Sequence, residues 1–372
     1  MIEASPEPSS GVPVATPGRR VPALDGLRGL AALLVVFQHV QPDGRWPTGI
    51  LGVDIFFALS GLLIGGILLD SRGRPDFFRR FFLRRTLRIW PLYEVVVLIV
   101  VATDAVVPVR SNEPPWMLVL FLGNWAVVGL ATTRTAAGVL WSLAVEEHFY
   151  LLLPPLIAFT RPRRVIVGLL TLVVGASASR YLVGQHWGFM AAYVLTPCRI
   201  DALCWGVIAA WILRFRPSWV GVISVVAPWL CVLRLAMLPD NPASRTDALS
   251  VLLLQPLSSI VTAALLVGLV SGRTRRCAKA LAVAPLAWVG TISYGLYLLH
   301  PLVIEATDAV LRQVLHAPPT FAGRGVALRF AMVTAITSIV AWCSWRWFEA
   351  PILRMSERPR HGAATGVVAA VE

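Results

Sequence analysis

An arginine and a histidine, Arg28 and His39, stand eleven positions apart in an apolar stretch, Leu24 to Val40, whose only other polar residues are Asp25 and Gln38. Eleven helical steps are three turns plus about 20°, so the two side chains share a face about 16 Å apart along the axis. An ionisable group in a membrane span costs ~2.5–3.5 kcal/mol on insertion scales and as a rule faces a cavity or another polar group. Further candidates lie in other apolar stretches. Asp54 opens one. Ser142, Glu146 and Tyr150 are spaced by four and share a helical face; Ser293, Tyr297 and His300 fall in a narrow arc; Arg199 and Asp201 open a fourth stretch. Histidine, with an unperturbed pKa of about 6.5, suits the removal of a proton at neutral pH, and a neighbouring carboxylate can fix its tautomer. The residue types therefore suit a proton-transfer site built from several spans.

The elements that must position these groups are membrane helices. The chain has 372 residues, 57% of them hydrophobic and only 14% charged, with a mean hydropathy of +0.71. Apolar runs long enough to cross a bilayer recur from end to end. Residues 1–22, rich in Pro, Ser and Gly and without an apolar core, read as a disordered cytoplasmic tail and not as a cleaved signal. Residues 353–372 read as a second cytoplasmic tail, so the chemistry is expected in the body, 23–352. Candidate spans are 24–40, 50–69, 88–107, 139–159, 165–183, 197–213, 219–237, 248–271, 281–302 and 326–347. The expectation is an all-α integral membrane protein of about ten transmembrane helices around a central cavity.

Charge orients it. With the N-terminus inside, the inner connections hold Arg72, Arg74, Arg79, Arg80, Arg84 and Arg85, then Arg161, Arg163 and Arg164, then Arg214 and Arg216, then Arg273, Arg275, Arg276 and Lys279. Outer connections carry single arginines such as Arg45, Arg110 and Arg245, a positive-inside pattern. It requires that the apolar piece Trp116–Leu130 not cross, so that piece is expected as a short outer-face or re-entrant helix. The net charge of +13 thus reflects topology in a plasma (inner) membrane and implies no nucleic-acid partner. In this frame Arg28 lies near the inner surface. His39, Asp54, Arg199, Asp201 and His300 reach the outer level, with His300 at the outer end of its span.

Several of these segments carry a resemblance. "LDGLRGLAALLVVFQHV" (24–40), "GVDIFFALSGLLIGG" (52–66), "RRTLRIWPLY" (84–93), "WSLAVEEHFYLLLP" (141–154), "CRIDALCWG" (198–206) and "ISYGLYLLHPLV" (292–303) resemble, in order and over residues 23–351, the membrane-bound acyltransferase family 3. The resemblance implies about ten spans and transfer of an acyl group, often acetyl, from cytosolic acyl-CoA to a hydroxyl of a glycan, a lipid-linked sugar or a macrolide-type secondary metabolite. It implies that Arg28 and His39 are the family's arginine–histidine pair, with His39 the base. Glu146 matches a glutamate of the Trp-Ser-Leu motif, and Arg85, Arg88 and Pro91 match a basic cytoplasmic motif. His148 departs from the pattern.

The chemistry agrees with that resemblance. His39 would take the hydroxyl proton, oriented by Asp54 or Glu146, while His300, Tyr150 or Arg199 would stabilise the tetrahedral oxyanion. Arg84, Arg85 and Arg88, with Arg28, would hold the phosphates of acetyl-CoA, because guanidinium groups bind phosphate oxygens bidentately. Arg199, Asp201, Tyr297 and Ser142 would contact the acceptor. No metal is expected. The small-residue face Asp54, Ala58, Gly61 and Gly65 either leaves room for the pantetheine arm or packs against another helix. The competing class is a transporter with a His39, Glu146 and Asp201 pathway. Polar residues at both faces around an apolar centre, and no inverted repeat, speak against it. A separate extracytoplasmic domain is not expected.

Overall fold

The computed structural model describes residues 21–41, 48–104, 114–130, 135–236, 248–315 and 324–355, and contains helices with no strand among them. In chain order these are α1 (Pro22–Val40), α2 (Thr48–Ser71), α3 (Phe77–Thr103), α4 (Pro115–Val119), α5 (Gly123–Leu130), α6 (Thr135–Gly138), α7 (Trp141–Phe159) and α8 (Val165–Val194). They continue as α9 (Thr196–Phe215), α10 (Pro217–Ala236), α11 (Ala248–Val270), α12 (Arg275–Leu281), α13 (Ala284–Thr291), α14 (Ser293–Leu315), α15 (Arg324–Ser344), a π-helical turn Trp345–Glu349, and α16 (Ala350–Met355). Both expected tails lie mostly outside the described residues.

Among the described residues, seven helical stretches are long and apolar enough to cross a membrane, or nine if two bent pairs each make one span. Ten were expected. The helix in the sixth expected place, α9, forms but is not among the nine; it buries residues along most of its length, Arg199 and Asp201 included. The segment 115–130 is two short helices of five and eight residues. At 1.5 Å per residue neither approaches the ~30 Å of a hydrocarbon core, in keeping with the sequence expectation.

Two boundaries differ from expectation. Helix α3 begins at Phe77, so Arg79, Arg80, Arg84 and Arg85 sit on its first turns and not in a loop. Its 27 residues span about 40 Å, longer than the hydrocarbon core, which allows the basic turns to project beyond it. The ninth expected span, 281–302, is instead broken: α13 and α14 meet at a 77° bend, and α14 runs on to Leu315. His300 is therefore inside a helix, two turns from its start, and not at its end.

The basic segments collect at one end of the bundle. Arg72 Nη2 donates to Ala158 O at 3.4 Å, Trp211 Nε1 to Pro162 O at 2.9 Å, and Arg214 pairs with Asp70 at 2.6 Å. The ends of α2, α7 and α9 thus meet there. The start of α1 meets α12 and α13 so closely that a Cβ on Gly290 would stand 1.9 Å from Asp25 O.

The core is built largely on α2 and α9. A Cβ on Gly61 would lie 2.0 Å from Leu203 O, and one on Gly206 2.1 Å from Ala58 O. The small face of α2 is therefore a backbone-to-backbone seam. Helix packing, not a passage for the pantetheine arm, is what those residues do.

Candidate functional site

Helices α1, α2, α3, α7 and α14 enclose a cavity of about 110 Å³. A single water needs only ~10–15 Å³ by the same kind of measure. Arg28 of α1 and Arg85 and Arg88 of α3 face it from the basic end. The guanidinium of Arg88 stands 5.4 Å from the centre of the Trp345 ring on the π-helical turn, and that of Arg85 lies 6.0 Å from the Tyr150 ring. Both are held by aromatic faces, an arrangement that suits a planar cation. Arg84, one residue from Arg85, is exposed and is not part of the lining. The three fall within an arc of about 100° around the helix, so spacing alone does not separate them; Arg84 lies at the edge of the arc away from Arg85.

The helical spacing of four on α7 does bring Ser142, Glu146 and Tyr150 to the cavity together. Tyr150 donates its hydroxyl proton to Glu146. Ser60 Oγ, 2.7 Å from the Tyr150 oxygen, must then be the donor, giving a chain Ser60 to Tyr150 to Glu146. Further along, Ser142 Oγ and Tyr297 OH are 2.6 Å apart, and Tyr297 also donates to Val139 O at 3.1 Å. The middle of the bundle is therefore polar, against the expectation of an apolar centre. Glu146 shares a cavity with three arginines instead of lying level with His39.

Beyond Tyr297 lies the histidine pair. The Tyr297 and His300 ring centres are 6.0 Å apart, and those of His300 and His39 are 5.0 Å apart. His300 Nε2 is 3.2 Å from His39 Nδ1, and His39 Nδ1 also lies 3.0 Å from Val35 O, one turn back on its own helix. His300 Nδ1 faces Tyr297 O at 2.7 Å and Leu296 O at 3.3 Å. His300 is fully buried and His39 half-buried. The neighbour that sequence reasoning sought for His39 in Asp54 or Glu146 is thus another histidine.

The end of α1 that carries His39 is clasped from α15. Arg329 Nη1 donates to Val40 O at 3.0 Å, while its Nη2 reaches both carboxylate oxygens of Asp308 at 2.9 and 2.7 Å. Phe330 meets Phe37 edge-on at 5.4 Å.

Asp54, Arg199 and Asp201 are placed elsewhere. Asp54 is paired with Arg199, both fully buried; Arg199 also lies over the rings of Phe57 and Tyr193, at 5.6 and 5.0 Å. Asp201 is paired with Arg180 at 2.6 Å, and Arg180 donates twice to Cys198 O, at 3.0 and 2.6 Å. These pairs join α2, α8 and α9, and none of the four residues lines the cavity. Asp54, expected as orienter of His39, Arg199, expected at the oxyanion, and Arg199 and Asp201, expected at the acceptor, are thus held in buried ion pairs outside the lining of this cavity. Buried charges persist where they are mutually paired, and these are.

Sequence reasoning missed Arg180, Arg329 and Ser60, and read Tyr294, which lines the cavity, as a membrane-interface anchor. The two arginines carried the signal that singled out Arg28, a charge within an apolar stretch; Ser60 carried none. Among the described residues no group of three or more His, Cys, Asp or Glu side chains is arranged to hold a metal.

The chain belongs to the acyltransferase 3 family: the profile of that family, described as an acyltransferase domain, matches residues 21–346. It is similar to peptidoglycan O-acetyltransferase OatA of Listeria monocytogenes, 28% identical over 89% of this chain and 56% of that protein. It is also similar to the Bacillus subtilis protein named "Putative peptidoglycan O-acetyltransferase YrhL", 30% identical over 90% of this chain and 55% of that protein. The chain thus spans little more than half the length of each of these two relatives.

Proposed function

We propose that this membrane protein is an O-acetyltransferase that takes acetyl from cytosolic acetyl-CoA and passes it to a hydroxyl of a surface glycan. The observation that carries the reading is the order of side chains through the bundle, with the histidine pair outside the cavity lining and next to Tyr297. Three arginines stand at the basic end, a lined cavity follows, and a histidine pair lies beyond it. That order matches a donor with an anionic head and a reactive tip. The pyrophosphate and ribose phosphate of CoA suit Arg28, Arg85 and Arg88, and the separation of Arg28 from His39, about 16 Å by helical rise, is on the scale of a pantetheine arm. The basic end is assigned to the cytosol of a plasma membrane, following the positive-inside bias. The relatives' names point to a glycan acceptor.

In the reaction, His39 takes the acceptor hydroxyl proton as its oxygen bonds to the thioester carbonyl carbon. The tetrahedral oxyanion forms within reach of hydroxyl donors; Tyr297, the cavity-lining hydroxyl nearest His300 in the chain, is assigned that role, its hydrogen turning from Val139 O to the oxyanion while Ser142 donates to the Tyr297 oxygen. The C–S bond then breaks, and the proton held by His39 passes to the departing thiolate, leaving an acetyl ester and free CoA. Glu146, bonded by Tyr150 and close to Arg28 and Arg85, keeps those cations positioned while it balances part of their charge.

The experiment is to express the chain and its His39→Ala variant, then compare surface polymers and secreted metabolites by mass spectrometry after feeding labelled acetate. A labelled acetyl ester present with the parent and missing with the variant is expected. Equal ester content in both would remove His39 from the chemistry; ester found only on a secreted metabolite would replace the glycan as acceptor.

A further inference from the structure

The assignment of His39 as base leaves open what holds its proton inventory. We propose that His300 is its positioning partner, a neutral imidazole doing the work that a carboxylate does in other base-orienting pairs. This rests on the reading of His39 as the base.

Proton counting decides which nitrogen does what. His300 Nδ1 faces only carbonyl oxygens, Tyr297 O at 2.7 Å and Leu296 O at 3.3 Å. A carbonyl cannot donate, so Nδ1 must carry a hydrogen. In the neutral ring, His300 Nε2 is then a bare lone pair, and it is aimed at His39 Nδ1. His39 Nδ1 must supply the hydrogen for that contact. The second neighbour of the same atom, Val35 O at 3.0 Å, demands a hydrogen there too. One hydrogen on Nδ1, shared between the His300 lone pair and the Val35 carbonyl, serves both contacts.

The reverse arrangement fails at two places. A hydrogen on His300 Nε2 and none on Nδ1 would set a lone pair against Tyr297 O, and a bare His39 Nδ1 would set another against Val35 O. Buried acceptors facing each other without a hydrogen are destabilising.

The consequence is specific: His39 Nε2 carries no hydrogen, so it is the atom that receives the proton of the acceptor hydroxyl. When it does, His39 becomes an imidazolium whose Nδ1–H points at the His300 lone pair, and that hydrogen bond becomes charge-assisted. The helical spacing of α14 supports this. Tyr297, three residues before His300, contributes its hydroxyl to the cavity and its carbonyl to His300. Asp308, two turns beyond, anchors Arg329, which grips the carbonyl of Val40 next to His39.

The test uses the full chain in lipid nanodiscs with ¹⁵N-labelled histidine. There are six histidines, and loss of signals in His39→Ala and His300→Leu assigns the two that matter. Expected are hydrogens on Nδ1 of both rings and a ¹⁵N–¹⁵N coupling across the His39–His300 bond. A hydrogen on Nε2 of either ring, or no coupling, overturns the proposal. Turnover is read in parallel as CoA release from acetyl-CoA by membranes of the producing cells, above the background of membranes from cells that lack the chain. His300→Leu should lower kcat about tenfold with KM for acetyl-CoA unchanged, the scale of one lost hydrogen bond in the transition state. His300→Gln, whose amide oxygen can still accept, should recover most of it. Unchanged kcat in His300→Leu, with His39→Ala inactive, overturns the pairing alone. An active His39→Ala overturns the base assignment beneath it.

Discussion

Three arginines within five residues of α3 allow the proposed donor site to be tested against a charge that only sets topology. Arg84, Arg85 and Arg88 are equal contributors to a positive-inside bias. Only Arg85 and Arg88 face the cavity, each beside an aromatic ring, while Arg84 is exposed. If the cluster merely orients the chain, Arg84→Gln, Arg85→Gln and Arg88→Gln should be indistinguishable. If the cavity holds CoA, they should split. A guanidinium at an exposed position changes free energies by ~0.5 kcal/mol or less, about a twofold effect. A charged hydrogen bond to a phosphate is worth ~1.5–3 kcal/mol, so loss of Arg85 or Arg88 should raise the Kd for CoA by roughly 10- to 150-fold. Lysine should restore part of the loss, because it keeps the charge without the planar fork that stacks on Trp345 or Tyr150. The assay is calorimetric titration of CoA into nanodisc-embedded protein, with each variant's topology checked by cysteine labelling from either side. Binding within twofold of the parent for Arg85→Gln and Arg88→Gln refutes the assignment of this cavity to the donor. A Kd raised equally by all three variants shows that bulk charge, not the site, is being measured.

Two further expectations concern parts of the bundle that only resembled a site. Gly61→Leu or Gly206→Leu should abolish accumulation of folded protein in membranes, because even the first added carbon meets a backbone carbonyl within about 2 Å. Gly175→Leu, with open space around it, should accumulate normally, and size-exclusion yield distinguishes them. Asp54→Leu should lower the Tm of the detergent-solubilised protein, since stripping one partner from a buried ion pair costs ~3–5 kcal/mol. Asp54→Leu combined with Arg199→Met should regain most of that Tm; no recovery would show that the loss does not come from an unpaired buried charge.

Much of the fold was legible before any coordinates. Apolar runs gave most of the helices, and positive-inside bias required 115–130 not to cross, in keeping with its two short helices. The spacing of Ser142, Glu146 and Tyr150 gave a shared face that does line the cavity. Helix ends were less readable. Hydropathy marks where a chain becomes apolar, whereas the α3 helix continues through its arginines to Phe77 because backbone hydrogen bonding does not depend on polarity. The break between α13 and α14, a 77° bend, falls at Gly290-Thr291-Ile292-Ser293, a short stretch that is lost when hydropathy is averaged over the length of a span.

What the sequence determined by itself is therefore which residues are out of place in an apolar environment, and which of them share a helical face. Periodicity along one helix is a local property, fixed by 3.6 residues per turn. Which polar group meets which is decided between helices, by packing contacts of a few ångströms that no spacing encodes. Asp54 and Glu146 were equal candidates to orient His39. Close packing of α2 on α9 turned Asp54 to Arg199, the lining of α7 gave Glu146 to the arginines, and the crossing of α1 with α14 left His39 facing His300.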